Sequence, residues 1–269
     1  MPQGTSLEVP VLVYHNVAKF GTDVGPYSLT VDHLRAHVDA LFDEGWQSGF
    51  VRDIPAHGPF DGATIYLTFD DAYESYGDLA VPALAERGAK STVFVPTAYL
   101  GRRASWPENG GCSEFRVMNT HAVEDLDPAA VEIGSHGHHH LQLDLLAPGQ
   151  LRQELRTSRA VLEDELGRTV TSLSYPFGYH NGRVRTETRS AGYTRACEMG
   201  LGLHRARPGS ELRIRRLHMT PSIGPAQLLE MLHSGQRTRI QRTLFWMGRP
   251  AWRELRRVRA RRSSSRSVA

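Results

Sequence analysis

Apolar residues recur at spacings of three and four in five stretches, and each stretch runs into a glycine. They are residues 31–44, 79–87, 150–166, 183–191 and 226–234, followed by Gly45, Gly88, Gly167, Gly192 and Gly235. This spacing gathers apolar side chains on one face of an α-helix, and glycine takes the left-handed closing position without steric cost. In the first stretch Leu34, Val38, Leu41 and Phe42 form the stripe, and Thr30 stands at the N-cap position. Residues 9–14 and 64–67 are apolar runs of strand length. Short β-rich runs follow two of the glycines, at 91–95 after Gly88 and at 169–175 after Gly167. Helix, glycine and strand in repetition predict an α/β fold with a mostly parallel sheet.

In such folds the chemistry sits at the C-terminal ends of the strands. His15 follows the first strand, Asp70 and Asp71 another, His136 the run Glu132-Ile133-Gly134, and Pro176-Phe177-Gly178 the pair Ser174-Tyr175. Two adjacent carboxylates at the end of a buried strand are costly unless they pair with a cation, bind a metal or move protons. The run Ile133-Gly134-Ser135-His136-Gly137-His138-His139-His140 brings imidazoles to the same kind of position. Carboxylate and histidine together are the ligand set of a catalytic metal site with an open coordination position. A metal-assisted hydrolase follows as the leading expectation. Each part also has a plainer reading: adjacent Asp residues cap turns and helices, and a histidine run can be a solvated loop. The His136–His140 spacing matches the zinc-protease helix motif, but Gly137 stands where that motif needs Glu and Gly134-Ser135 suits no helix interior, which excludes a protease.

With these segments in this order, the chain resembles the polysaccharide deacetylases with a NodB homology domain, carbohydrate esterase family 4. The resemblance spans roughly residues 9–235. It rests on Val11-Leu12-Val13-Tyr14-His15, Ser28-Leu29-Thr30, Thr68-Phe69-Asp70-Asp71, Gly134-Ser135-His136 with His140, and Tyr175-Pro176-Phe177-Gly178. It implies an irregular (β/α) barrel of about seven strands. It further implies Asp70 as general base and Asp71, His136 and His140 as ligands of a divalent ion, most simply zinc, with cobalt, manganese, iron or nickel as alternatives. The expected reaction is removal of N-acetyl (or O-acetyl, or another N-acyl) groups from a carbohydrate by metal-activated water, with the backbone N–H of Phe177 on the oxyanion. His15, Tyr175 and Pro176 are expected at the substrate, although His15 also reads as a hydrogen-bonded structural histidine. The other readings are a deacylase of a small or lipid-linked N-acyl sugar, and a sugar-binding barrel without turnover.

The chain departs from the family in two places. Where members carry an arginine shortly before the Pro-aromatic pair, this sequence has Ser172-Leu173-Ser174. The strand-like 212–217 supplies replacements, Arg216 first and Arg213 second. For the late histidine that serves members as general acid, His218 and His233 are the candidates, and His233 sits where it would favour a helix dipole instead.

Charge adds one distinction. Residues 237–269 hold eleven arginines against one acid, Glu254, a formal +10 within a net charge of +3, so the remainder stands at −7. Residues 1–236 are therefore expected to form the barrel, and 237–269 a partly helical or disordered basic tail. With Trp246 and Trp252, the tail is suited to weak contact with an anionic membrane, and no nucleic-acid-binding module is recognisable. No apolar run nears the ~18 residues of a membrane span, and residues 1–8 lack the basic start and apolar segment of a secretory signal. The expected setting is cytoplasmic, peripheral at the inner membrane face. Two cysteines, Cys112 and Cys197, are too few for a disulfide framework.

Overall fold

The computed structural model describes residues 8–21, 27–57, 60, 63–106, 114–200 and 202–234. The described residues all belong to one compact unit, Met1–Gly235. The basic tail, like Cys112, lies outside the described residues.

Strand β1 (Glu8–Val9) leads into β2 (Val11–Tyr14), and β3 (Asn16–Ala18) pairs in parallel with β4 (Ser28–Thr30) before helix α1 (Val31–Asp43). Then come β5 (Gln47–Gly49), β6 (Thr64–Phe69), α2 (Val81–Ala85), β7 (Ser91–Val95), α3 (Thr120–Glu124) and β8 (Val131–Ser135). The chain continues through α4 (Pro148–Leu166), β9 (Ser172–Ser174), α5 (Gly182–Ser190), β10 (Arg195–Met199), β11 (His204–Arg205), β12 (Ile214–His218) and α6 (Pro225–Ser234). Strands β2, β6, β7, β8, β9, β10 and β12 pair in parallel in that order, and β12 pairs back onto β2 through Leu217 and Leu12. The result is a closed seven-stranded parallel barrel wrapped by helices. Strand β5 lies beside the first half of β6 and takes no part in closure. Strand β1 pairs antiparallel with β11. No helix among the described residues is long and apolar enough to cross a membrane.

Strands β2, β6 and β7 are buried along nearly their whole length, which is why the sequence shows continuous apolar runs there in place of alternation. Thr30 caps α1 by accepting a hydrogen bond from His33 N–H, and Asn181 caps α5 through Val184 N–H. Gly45 (φ 90°) and Gly167 (φ 60°) take the left-handed positions after α1 and α4. The pattern at 79–87 folds differently from a plain helix. Tyr76–Ala80 forms a π-helical turn that runs into α2. Pro82 has no N–H to give, so the first turn of α2 cannot keep the ordinary hydrogen-bond register. Of the expected strand at 169–175, only Ser172–Ser174 pairs as one.

The barrel interior is not simply apolar. Phe94, Tyr66, Val11, Cys197 and Ile214 pack together in it. Glu132 is buried beside them and accepts hydrogen bonds from Thr92, Ser172 and Arg52 N–H. Burial raises its pKa, against the lowering effect of the two hydroxyls. Gly134 on β8 makes room for the Phe94 ring: a Cβ there would stand 2.6 Å from that ring and 3.0 Å from Ser172 O. Gly134→Ala is therefore expected to cost about 1–3 kcal/mol, read as a lowered unfolding midpoint. An unchanged midpoint would show that the ring can step aside.

Candidate active site

The chemical residues stand at one end of the barrel, where β2, β6, β8, β9, β10 and β12 finish. Alternation along a strand decides which side chains face inward. On β6 it turns Thr68 and then Asp70 toward the interior, and on β12 it turns Arg216. There Arg216 is fully buried and grips Asp70 with both terminal nitrogens, at 2.7 Å to each carboxylate oxygen. Arg216 also donates to Thr68 Oγ1 and to Ser174 Oγ, and Ser174 Oγ donates to Asp70 Oδ2 at 3.1 Å. The small residues on β9 leave the volume that the guanidinium fills from two strands away. Burial by itself would raise the pKa of Asp70, but the guanidinium outweighs it and holds the carboxyl far below the usual carboxylate range. Asp70 is thus a charged, oriented acceptor. Arg213 precedes β12 and lines a separate hollow that does not include Asp70, so it takes no part.

Beside it lies a second group. Asp71 Oδ1 is 3.5 Å from His136 Nε2 and 3.3 Å from His140 Nε2, and the ligand atoms of the three residues all lie within 4.8 Å of one another. All three side chains are buried, and Asp71 Oδ1 has no hydrogen-bond partner among the described residues. A tetrahedral divalent ion with bonds of about 2.0–2.2 Å sets its ligands about 3.3–3.6 Å apart. An orphaned carboxylate oxygen between two imidazole nitrogens at those spacings fits such an ion. His136 Nδ1 lies 2.8 Å from Ser174 O, which fixes the tautomer that turns the Nε2 lone pair to the centre. Burial lowers its pKa to about 4 against the pull of Asp70, so the ring is neutral at pH 7 and able to ligate. His138 is not in the cluster; its Nδ1 bonds Thr97 Oγ1 at 2.7 Å.

Backbone strain gathers here as well. The positive-φ non-glycine residues among those described are Asp71 (73°), Ala72 (48°), His140 (55°) and Phe177 (58°). All four lie at this site, and each conformation costs roughly 1–2 kcal/mol. The loop carrying His140 is held from α4, where the buried Glu154 accepts from both His139 N–H and His139 Nδ1. Removing that anchor in Glu154→Ala is expected to weaken divalent-metal affinity by about 10–100-fold, measured by competition with a chromophoric chelator. Unchanged affinity would show that the loop holds itself.

A cavity of about 200 Å³ opens over Asp70 and the three candidate ligands. Its walls are Tyr27, Tyr73, Trp106, Phe177, Tyr179 and Met199. Trp106 stacks on His140 at 4.3 Å between ring centres, and Phe177 meets the same ring edge-on at 4.7 Å. His15 also lines the cavity; its Nδ1 is buried with no hydrogen-bond partner among the described residues, which removes the structural reading for that atom. His218, two residues beyond Arg216 on the same face of β12, lies edge-on to His15 at 5.2 Å and stacks with Tyr27 at 5.8 Å. His233 is exposed near the end of α6.

Two expected substrate contacts need correction. Tyr175 is fully buried, its hydroxyl donates to Leu212 O, and its ring packs on His180. Pro176 is buried beneath the cavity wall and does not line it. The wall is made by the next residues, because left-handed Phe177 turns the chain, and Gly178 then passes so close to β10 that a Cβ would fall 2.2 Å from Met199 Cβ. Sequence reasoning passed over Tyr27, Tyr73, Tyr179 and Met199, which lie next to the motifs with no spacing signal of their own. Trp106 stands in a stretch with no apolar period to mark it.

The polysaccharide deacetylase family model matches residues 57–196. The putative polysaccharide deacetylase YxkH of Bacillus subtilis (strain 168) is 26% identical over 191 residues, covering 69% of this chain and 62% of its own length. The chain thus spans about three-fifths of that curated relative. Among solved structures, the deacetylase PplD of Streptococcus pyogenes aligns with a TM-score of 0.71 at 20% identity, over 84% of this chain and 98% of its own. IcaB from Ammonifex degensii aligns at 0.70 and 18% identity, over 84% and 97%. The matched span takes in more than half of the sequence and holds Asp70, Asp71, His136 and His140, and the barrel is shared with these structures. The chain belongs to the polysaccharide deacetylase family.

Proposed function

We propose that this chain is a metal-dependent hydrolase that removes N-acetyl groups from a carbohydrate. The observation that carries this reading is the division of labour between neighbouring carboxylates. Asp70 is charged, clamped by Arg216 and 3.9 Å from His136 Nε2, whereas Asp71 points an unpartnered oxygen between two imidazoles. A site built only to bind sugar has no use for such a pair. Asp71, His136 and His140 would hold the ion, and their donor set suits zinc best, with cobalt, iron, manganese or nickel also accommodated. When bound, the ion supplies Lewis-acid polarisation of the acyl carbonyl and a lowered pKa for water.

The chain's own residues do the rest. Asp70 accepts the proton of the attacking water at its carboxylate, and Arg216 keeps that carboxylate ionised and aimed. The backbone N–H of Phe177, a residue of the cavity wall, is assigned to the developing oxyanion. His218, which does not itself line the cavity but is in ring contact with the lining residues His15 and Tyr27, is assigned as donor to the departing amine. The aromatic walls offer apolar faces to sugar rings and to the acetyl methyl. The name under which PplD was solved, in complex with acetate, agrees with acetate as the product. The test is acetate release by the zinc-loaded full chain from N-acetylated oligosaccharides, nucleotide sugars and lipid-linked sugars. Release from one class identifies the substrate. No release from any of them, with zinc demonstrably bound, would sink the deacetylase reading.

A further inference from the structure

Each barrel connection from β2 to β10 contributes a helix, but the described residues between β10 and β12 form none. A short ribbon stands in its place. Ser210 N–H donates to Arg207 O at 3.0 Å, Arg207 N–H donates to Ser210 Oγ at 3.1 Å, and Gly209 takes φ 81°, which folds the ribbon back on itself. Each arm carries arginines two apart, Arg205 and Arg207 on one, Arg213 and Arg215 on the other. In extended chain that spacing puts both side chains of an arm on one face. The two arms together line a hollow of about 170 Å³, with His204 and Ser210 as the other walls. Strand β12 turns Arg216 into the barrel and Arg215 out of it, so the hollow lies on the far side of the strand from Asp70.

Charge in the hollow is not balanced. Arg205 pairs with Glu8 at 2.8 Å, and Arg215 faces Glu198 at 3.6 Å. The Glu211 carboxylate is engaged by Gly209 N–H at 3.2 Å. No carboxylate among the described residues pairs with Arg207 or Arg213. His204 is buried, and burial with Arg215 alongside lowers its pKa to about 4, so it adds a neutral ring and no charge. The Ser210 hydroxyl accepts from Arg207 N–H and keeps its own proton to donate. Guanidinium forks bind tetrahedral oxyanions in a bidentate manner, and two uncompensated forks match a dianion.

The geometry points to a phosphate-type oxyanion site on the flank of the barrel, with Arg207 and Arg213 as its forks and Ser210 as a further donor. It is separate from the catalytic cavity and does not depend on the deacetylase reading. It would hold the phosphate of a phosphorylated ligand, either soluble or on a lipid headgroup. Hydrogen exchange resolved to peptides over 203–215 tests it in the full-length, zinc-loaded chain, with inorganic pyrophosphate in one arm and phosphatidylglycerol vesicles in the other. Protection in that segment by pyrophosphate supports a soluble phosphate ligand; protection by vesicles alone supports a headgroup. In Arg207→Gln/Arg213→Gln the concentration needed is expected to rise at least about tenfold, while the thermal unfolding midpoint stays at the wild-type value. No protection of 203–215 in either arm, or protection equal in the double variant, would overturn the proposal.

Discussion

Asp70→Asn is expected to lower acetate release by about 10²–10⁴-fold and to destabilise the barrel at the same time. The substitution keeps shape but removes the charge that neutralises Arg216, which is 0% exposed and has no other carboxylate within bonding distance among the described residues. A buried charge stripped of its partner costs about 3–5 kcal/mol. Two effects are therefore superimposed, and a second variant separates them. In Asp70→Asn/Arg216→Met both charges are gone and the long apolar side chain refills the volume. Exchanging a buried pair for apolar packing is often close to neutral. The double variant is expected to recover most of the lost stability in denaturant unfolding and none of the lost turnover. If turnover returned with stability, Asp70 would be a structural partner of Arg216 and not the base.

The second large effect concerns the three candidate ligands. Asp71→Asn and His140→Asn are each expected to weaken zinc binding by at least about a hundredfold, measured by competition with a chromophoric chelator. Asn is the chosen replacement because both positions have positive φ, 73° and 55°, and Asn tolerates that region better than most residues. The change thus removes a ligand without adding backbone strain. Asp70→Asn should leave zinc affinity within a few-fold of wild type, since Asp70 is turned to Arg216 and not to the cluster. Equal losses in Asp70→Asn and Asp71→Asn would contradict the division of labour between them. Unchanged affinity in Asp71→Asn and His140→Asn would remove the metal from the proposed mechanism.

Both predictions rest on relations the sequence could show only in part. The positions of Asp70, Asp71, His136 and His140 at strand ends were legible, because each follows an apolar run whose length and composition mark a buried strand. The pairing of Asp70 with Arg216 spans 146 residues. Among the arginines of 212–217 the sequence offers Arg216 first and Arg213 second. Only the register of β12 against β10 and β2 turns one of them into the barrel. Tyr175 shows the same dependence in reverse. It stands beside the site in sequence, yet the left-handed turn at Phe177 turns the cavity wall over to Phe177, Gly178 and Tyr179.

The sequence by itself determined the class of fold, the helix ends marked by glycine and N-cap residues, and the residue types of the candidate metal cluster. Those features come from local periodicity, backbone preference and the chemistry of single side chains, all of which are written within a few residues. Tertiary structure alone decided that the barrel closes with β12 on β2, that Arg216 and not the second candidate Arg213 clamps Asp70, which aromatics wall the cavity, and that the β10–β12 crossover carries a basic hollow instead of a helix. Each of these depends on strand register or on volume left by a distant small residue, such as Ser174 beneath Arg216 or Gly134 beside Phe94. Such relations join positions far apart in the chain, and no local pattern encodes them.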